Sequence, residues 1–584
     1  MRRTRRGFLT ALTALAVTAG VAGCSGDFID ALASTGTSAA STASGATSGP
    51  DDRLTVLSAG PVEAWDPQRI TDRRTAGFAS RTWMRTLTAY LPDSSLSGQR
   101  TIAGDLAEGT GKPSKNAKVW TFTLREGITW QDGSPITCED VRHGVARSFD
   151  SDIASSGYAL TYLDIPKHAD GSSRYPGPSG KAGQSAKAKK LIDKAVECKN
   201  DRTVVFHLAQ PVGDFDEVVS LPEFAPVKAD LPEKGALHRA YSSGPYMLKD
   251  EWTPSKGGTW VRNPEWNKAS DPLRSRGPAT IAHVEAIAPK DALSRIIDGD
   301  DGGRTLALDP MPSGLAPAIT EAGNLVQSVE TDGQLVDYLA INAESKALKS
   351  VWTRRALATA TDREAYVAAM GTGAPTWSLL GTALPSAHET VLDHGPRGNA
   401  AEAKKLLAKA KVDTPVKLTL AHRDGERLGA ALKALLPGWK KAGFDVTLEP
   451  VKDDYFDTIG KRSFAEDHDL VWANWGPDFP SAVTVLPPLF DDRTNLSKKS
   501  VGRDYGLYAD DKINKAMDDA AAVRDPAERA KAWSTIDTKL LTDGAYLPLM
   551  QSRLTYVAGA EVTSLVGNPV YGGTPELGLL GVSR

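Results

Sequence analysis

"PVKLTLAHRDGERLGAALKALLPGWKKAGFDVTLEPV" runs from Pro415 to Val451. Pro415–His422 alternates apolar and polar residues and reads as a strand. From Glu426 the apolar spacing becomes helical, Gly443 breaks it, and a second strand runs to Val451. Strand, helix and strand in one short stretch make a β-α-β unit, whose two strands pair in parallel. The stretch therefore sets an α/β fold class.

Outward from this unit the same grammar recurs. "AEAKKLLAKAK" (Ala401–Lys411) is a helix, and Asp510–Asp543 is two helices meeting at Asp525-Pro526. "AYLPLMQ" (Ala545–Gln551) is a late strand. Toward the N-terminus, "DRTVVFHLAQP" (Asp201–Pro211) is a turn and a strand stopped by proline, while Tyr162–Gly183 is Gly/Pro/Ser-rich and reads as loop. "TCEDVRHGVARSF" (Thr137–Phe149) is a helix with Thr137 at its N-cap and acids in its first turn. "VWTFTLREGITW" (Val119–Trp130) alternates and breaks at Gly127, as a strand pair or a strand with a turn. "RLTVLS" (Arg53–Ser58) is the first strand. There is no internal repeat.

The N-terminus is of another kind. Four arginines (Arg2, Arg3, Arg5, Arg6) precede an uncharged run from Phe8 to Ala22. That run fits a signal peptide and is short for a membrane span. "TRRGFLT" (Thr4–Thr10) resembles the twin-arginine export motif, with Thr10 where that motif often has Lys. "VAGC" (Val21–Cys24) resembles a bacterial lipobox, in which the Cys thiol is alkylated by diacylglycerol and becomes the first mature residue. The reading is a signal peptide over 1–23, then lipidated Cys24 and a flexible Ser/Thr/Ala/Gly-rich tether to residue 50.

The remaining 500-odd residues exceed a single hydrophobic core. The chain is 41% hydrophobic and 24% charged, with a net charge of −3 and no long basic run. That balance argues against nucleic acid as a partner. With Cys24 lipidated, Cys138 and Cys198 remain of the three cysteines. In an exported chain they suggest one disulfide; the alternative is two separate buried thiols. The sequence lacks GxSxG, SxxK, HExxH, GxGxxG and GxxxxGK[ST], and its nine histidines fall at no metal-ligand spacing. The expectation is a protein that is not an enzyme and has no metal or cofactor.

Five segments in chain order resemble one family. "EAWDPQR" (Glu63–Arg69) follows the first strand as an "LDP"-type segment. "WTFTLREGITWQDGSPITCEDV" (Trp120–Val141) resembles F-x-L-R-x-G-x-x-[FW]-x-D-G-x-P-[LI]-[TS]-A-x-D-V, with Cys138 in place of Ala. "SSGPYML" and "VRNPEW" (Ser242–Leu248, Val261–Trp266) resemble a G-P-Y and R-N-P pair. Tyr338–Val367 resembles Y-L-x-x-N…V-R-x-A…D-R, and "LVWANWGPDFP" (Leu470–Pro480) resembles W-x-x-D-[YF]-x-x-P. These are the patterns of the family 5 extracellular solute-binding proteins of ABC transporters, the oligopeptide-, dipeptide- and nickel-binding class.

The resemblance implies two α/β lobes of periplasmic-binding-protein type around a ligand cleft, with an extra α+β subdomain. Domain I would comprise 51–92, 226–325 and 545–584, subdomain II 93–225 and domain III 326–544. It implies a monomeric receptor, anchored outside the cell membrane by its lipid, that delivers peptides to ABC permease subunits by hinge closure. Nickel chelates, oligosaccharides and signalling peptides are alternative ligands; an exported hydrolase is the reading from another class. In peptide-binding members the Asp of W-x-x-D pairs with the ligand ammonium, a role that falls on Asp478; the competing reading is an Asx-turn ahead of Pro480. Trp475 would wall the site, with Trp472 and Asn474 as further contacts and Trp65 facing the opposite lobe. Arg354, Arg355 and Arg363 would pair within domain III.

Overall fold

The structure, a computed structural model, describes residues 52–583 except 154, 233–234, 276, 388–394 and 453. The signal peptide, Cys24 and the tether lie outside the described residues.

The β-α-β unit forms as its periodicity dictates. Strand Val416–Arg423 pairs in parallel with Phe444–Val451, from Val416 opposite Phe444 to Arg423 opposite Val451, around the helix Glu426–Ala442. Leu428, Ala431, Leu432, Leu435 and Trp439 form the helix's buried stripe, and Gly443 ends it with φ +108°, a left-handed conformation open to glycine.

This unit is one end of an 11-stranded mixed sheet. Its order is Phe444–Val451, Val416–Arg423, Leu470–Trp475, Val326–Ile341, Tyr546–Gly559, Thr305–Ala307, Arg53–Leu57, Thr280–Val284, Gly257–Arg262 and Tyr246–Leu248, with Ala374–Pro375 attached to Tyr546–Gly559. Two strands are much longer than the rest. Val326–Ile341 and Tyr546–Gly559 run antiparallel from Val326 opposite Gly559 to Ala340 opposite Tyr546. Their register shifts between Asp332 and Val336 and again between Asp337 and Tyr338. These irregularities bend the ribbon where it passes from one half of the sheet to the other. On one side it enters a core built around Tyr338, Leu420, Leu432, Trp439 and Trp472. On the other it joins the core of Leu54, Val56, Trp65, Trp83 and Trp260. The two halves are the two lobes.

The subdomain has its own core and a four-stranded antiparallel sheet, ordered Lys112–Ser114, Val119–Thr123, Thr203–His207, Val196–Asn200. Helix Cys138–Arg147 packs on it, and its first residue is joined to the edge strand by a Cys138–Cys198 disulfide with Cα atoms 5.7 Å apart. The Thr137 N–H donates to Asp140 Oδ2 at 2.8 Å, closing the first turn. Gly133 N–H donates to the Trp130 carbonyl in a tight turn. The Tyr162–Gly183 stretch is mainly loop, with short helical turns at Tyr158–Tyr162 and Gly180–Gly183. Arg354 and Arg355 donate to the Asp543 and Thr542 carbonyls at the end of helix Pro526–Asp543, and Arg363 donates to the Pro548 carbonyl. All three partners belong to the second lobe or to the ribbon. Among the described residues no helix is long and apolar enough to cross a membrane.

Candidate functional site

The segment "NWGPDFP" (Asn474–Pro480) leaves the end of strand Leu470–Trp475 and crosses between two bodies. Trp475 packs partly buried against the second lobe's core, and its Nε1–H donates to the Thr484 carbonyl at 2.8 Å. Four residues on, Phe479 is buried in the core of the subdomain, its ring 5.7 Å from Tyr158. Between them stands Asp478, with its side chain exposed. Tyr158 O–H donates to Asp478 Oδ2 at 2.6 Å, and the Asp478 N–H donates to Thr484 Oγ1 at 3.1 Å. Burial, then the Asp478 charge, pushes the Tyr158 phenol well above its ordinary value. With one oxygen accepting from Tyr158, the Asp478 carboxylate offers its other oxygen to a further donor.

The surroundings are charged and come from both sides. Arg73, at the start of helix Arg73–Thr82, donates to the Val570 carbonyl at 2.9 Å and to the Pro477 carbonyl, and feels the Asp478 charge. Ser481 Oγ donates to Asp214 Oδ2 at 2.5 Å. Arg529 reaches from the second lobe to Glu217 Oε1 at 2.9 Å, and the Gly213 N–H donates to the Ala521 carbonyl at 2.8 Å. Burial, followed by the Asp214 charge, pushes the Glu217 carboxyl up to about 8.

The strand's other side chains separate by role. Trp472 is 2% exposed and donates from Nε1 to Tyr366 Oη at 3.1 Å; it is part of the core. Asn474 is half-buried and stands opposite Asp337 across the sheet. Tyr366 O–H donates to Asp337 Oδ2 at 2.9 Å. Burial pushes the Asp337 carboxyl up to about 7, against the opposing effects of Tyr366, Arg423 and Asn474.

Trp65 requires a correction. It does not face the opposite lobe. Its side chain is fully buried, with ring centroids 5.0 Å from Trp252, 5.1 Å from Trp260 and 5.6 Å from Phe78. The reason is local: Arg147 Nη2 lies 2.7 Å from Asp66 Oδ2, and Trp65 N–H donates to the Leu237 carbonyl. The polar neighbour is held by the subdomain while the indole turns into an aromatic core. Asp478, Trp475 and Asn474 thus lie along one strand end and its following loop, Trp472 lies behind them, and Trp65 lies elsewhere.

Sequence reasoning missed Tyr158 and Arg73 beside Asp478, and Arg423 near Asp337. Tyr158 meets Asp478 across 320 positions, and no local pattern announces such a pair. Arg423 carried a usable signal. It ends a parallel strand, and ligands of open α/β sheets gather at the carboxyl ends of strands.

Residues 101–497 match the bacterial extracellular solute-binding proteins, family 5 (middle). The chain belongs to this family. It is 24% identical over 541 residues to the probable D,D-dipeptide-binding periplasmic protein DdpA of Escherichia coli K12, covering 89% of this chain and 92% of that one. It is 25% identical over 526 residues to the periplasmic oligopeptide-binding protein OppA of the same strain, covering 86% and 88%. Among solved structures, the clavulanic acid biosynthesis oligopeptide binding protein 2 superposes with a TM-score of 0.77 at 25% identity, over 92% of this chain and 97% of that one. The family and these relatives are solute-binding receptors rather than enzymes. The two-lobed architecture is that of the family's solved structures.

Proposed function

We propose that this family member is a lipid-anchored extracytoplasmic receptor that captures peptides and delivers them to an ABC importer by closing its lobes. The peptide-binding relatives support the ligand class, and the observation that carries the site is Asp478. It is an exposed carboxylate on a loop whose two ends are rooted in different bodies. A peptide's α-ammonium supplies the donors that this carboxylate can accept, and lobe closure around it strips water from the pair. Trp475 and Asn474 flank it, and Trp472 supports them from the core. Lipid attachment at Cys24 would keep the receptor beside the permease, because acyl chains gain about 0.8 kcal/mol per buried methylene.

Calorimetric titration tests the ligand anchor. Removing one partner of a buried charge pair costs about 3–5 kcal/mol, roughly a hundredfold or more in affinity. Asp478→Asn is expected to lose most of this for a free-amine peptide. An N-acetylated peptide is expected to bind wild type poorly and to lose little further in the variant. Equal binding of the free-amine peptide by both proteins would move the anchor elsewhere. Cys24→Ala is expected to release the protein from the membrane or to block its processing; normal cleavage with membrane retention would remove the lipid from the proposal.

A further inference from the structure

Several buried carboxylates of this chain are neutralised by guanidinium groups: Asp66 by Arg147, Asp105 by Arg274 and Glu576 by Arg81, each at 2.7 Å. One pair of acids in the second lobe is not. Asp504 is 1% exposed, on the loop between Val501 and Asp510. Its Oδ1 accepts from the Tyr508 N–H at 3.1 Å, while its Oδ2 is buried and meets no donor. Asp492, half-buried at the start of helix Asp492–Asn495, is the acid whose charge acts on Asp504. The neighbouring arginines are engaged elsewhere. Arg493 pairs with Asp491 and Asp518, and Arg503 lies over the Trp475 ring. Among the described residues neither Asp492 nor Asp504 has an ion pair.

A third oxygen stands beside them. Asn514, on helix Asp511–Ala521, is 2% exposed. Its Nδ2 donates to Asp492 Oδ1 at 2.6 Å. Its Oδ1, on the same amide and so next to that carboxylate, is buried and meets no donor. The three elements are packed together. The Tyr508 ring lies 6.2 Å from that of Phe490, two residues before Asp492, and the Asn514 N–H donates to the Asp510 carbonyl at the end of the loop.

A buried polar atom without a partner calls for a missing one. A water could donate to these oxygens, but it would leave two adjacent carboxylate charges uncompensated, and burying such charge is costly. Burial pushes the Asp504 carboxyl well above its ordinary range, which expresses the same cost. Carboxylate and amide oxygens are hard donors and suit calcium or magnesium. Calcium tolerates an irregular oxygen set, whereas magnesium demands a near-ideal octahedron and keeps its waters. We infer that Asp492, Asp504 and Asn514 form a calcium site of the second lobe. The same loop carries Arg503, 5.0 Å from the Trp475 ring centroid, so the ion would brace the wall of the candidate ligand site from behind.

The purified mature chain, freed of metal with EDTA, is titrated with calcium chloride by calorimetry and melted with and without the ion. One calcium is expected to bind per chain and to raise the melting midpoint. Magnesium is expected to bind at least tenfold more weakly; equal binding overturns the assignment to calcium. Asp492→Asn and Asp504→Asn each keep the shape and remove a charge, and each is expected to weaken calcium at least tenfold. If Asp504→Asn does not fold, the half-buried Asp492→Asn carries the test. Absence of both binding heat and midpoint shift in wild type overturns the site and leaves a proton on Asp504 as what neutralises the pair. Undiminished binding in folded Asp492→Asn also overturns it, because calcium then binds elsewhere. None of these outcomes depends on the peptide reading.

Discussion

Asp337 is the side chain whose charge state the fold controls most visibly near the site. It is 5% exposed, accepts from Tyr366, and is pushed up to about 7 by burial from an ordinary value of 3.8. The folded protein therefore keeps a proton that the unfolded chain releases above pH 4. Between about pH 4 and pH 7 the unfolded state binds fewer protons, so this group's contribution falls as pH rises and levels off above 7. The full swing is up to about 4 kcal/mol. Asp337→Asn keeps an acceptor for Tyr366 and removes the titration. Thermal melts should show the variant close to wild type at pH 4 and more stable at pH 8. A gap that does not change with pH would mean that Asp337 is ionised in the fold throughout. Residue identity pointed to part of the candidate site and not to the rest. Asp478 stood out because a charged residue sat between an aromatic and a proline in a segment with a family likeness. The depth of Asp337 did not, because "LVDYLAI" carries its acid without showing which face meets the core.

At the scale of elements, periodicity was a sound guide wherever one face is buried. The β-α-β unit and helix Cys138–Arg147 follow from alternation and capping within a residue or two of their observed ends. The ribbon was not legible in this way. The expected strand Ala545–Gln551 is the first half of Tyr546–Gly559, whose middle residues Ser552–Thr555 are polar or half-exposed because the ribbon leaves one core before it enters the next. Its partner's "VETDGQ" breaks alternation at the register shift itself. The disulfide belongs to this scale too. It closes a loop of 60 positions, for which chain entropy predicts about 4 kcal/mol. Cys138→Ser with Cys198→Ser should lower the subdomain's denaturation midpoint accordingly and should make hydrogen exchange in Val119–Thr123 and Thr203–His207 faster before it does so in the second lobe. Uniform acceleration through the whole chain would show that the subdomain does not melt as a separate unit.

Across the whole molecule, the contact between Arg529 and the turn at Gly213–Glu217 joins the second lobe to the subdomain. Glu217 is pushed up to about 8 by burial and then by Asp214, so its charge depends on pH in the working range. Above pH 8 it is ionised and needs Arg529; below it, protonation relieves the need. Arg529→Met should therefore cost less at pH 6, where it forfeits its contacts with Asp214 and with the Gly213 and Val523 carbonyls, than at pH 9. At pH 9 it should cost about 3–5 kcal/mol, the usual penalty for a buried charge left alone. Melting curves of wild type and variant at the two pH values test this, and equal losses at both would mean that Glu217 is charged throughout. This contact joins segments more than 300 positions apart, and no local pattern in the sequence predicts it.

Trp475 and Phe479 root one short loop in two bodies. An extended chain reaches at most about 3.6 Å per residue, so the four steps between them allow the anchors to part by no more than roughly 14 Å. The loop is a leash. While both roots hold, the jaws cannot separate freely at this point; they can only swing about it. Asp478 then sits near a fulcrum, where motion is smallest, and the far rim of the cleft travels most. On the proposed reading of Asp478, a peptide's amine would stay seated while the mouth opens and shuts on whatever length of chain extends beyond it.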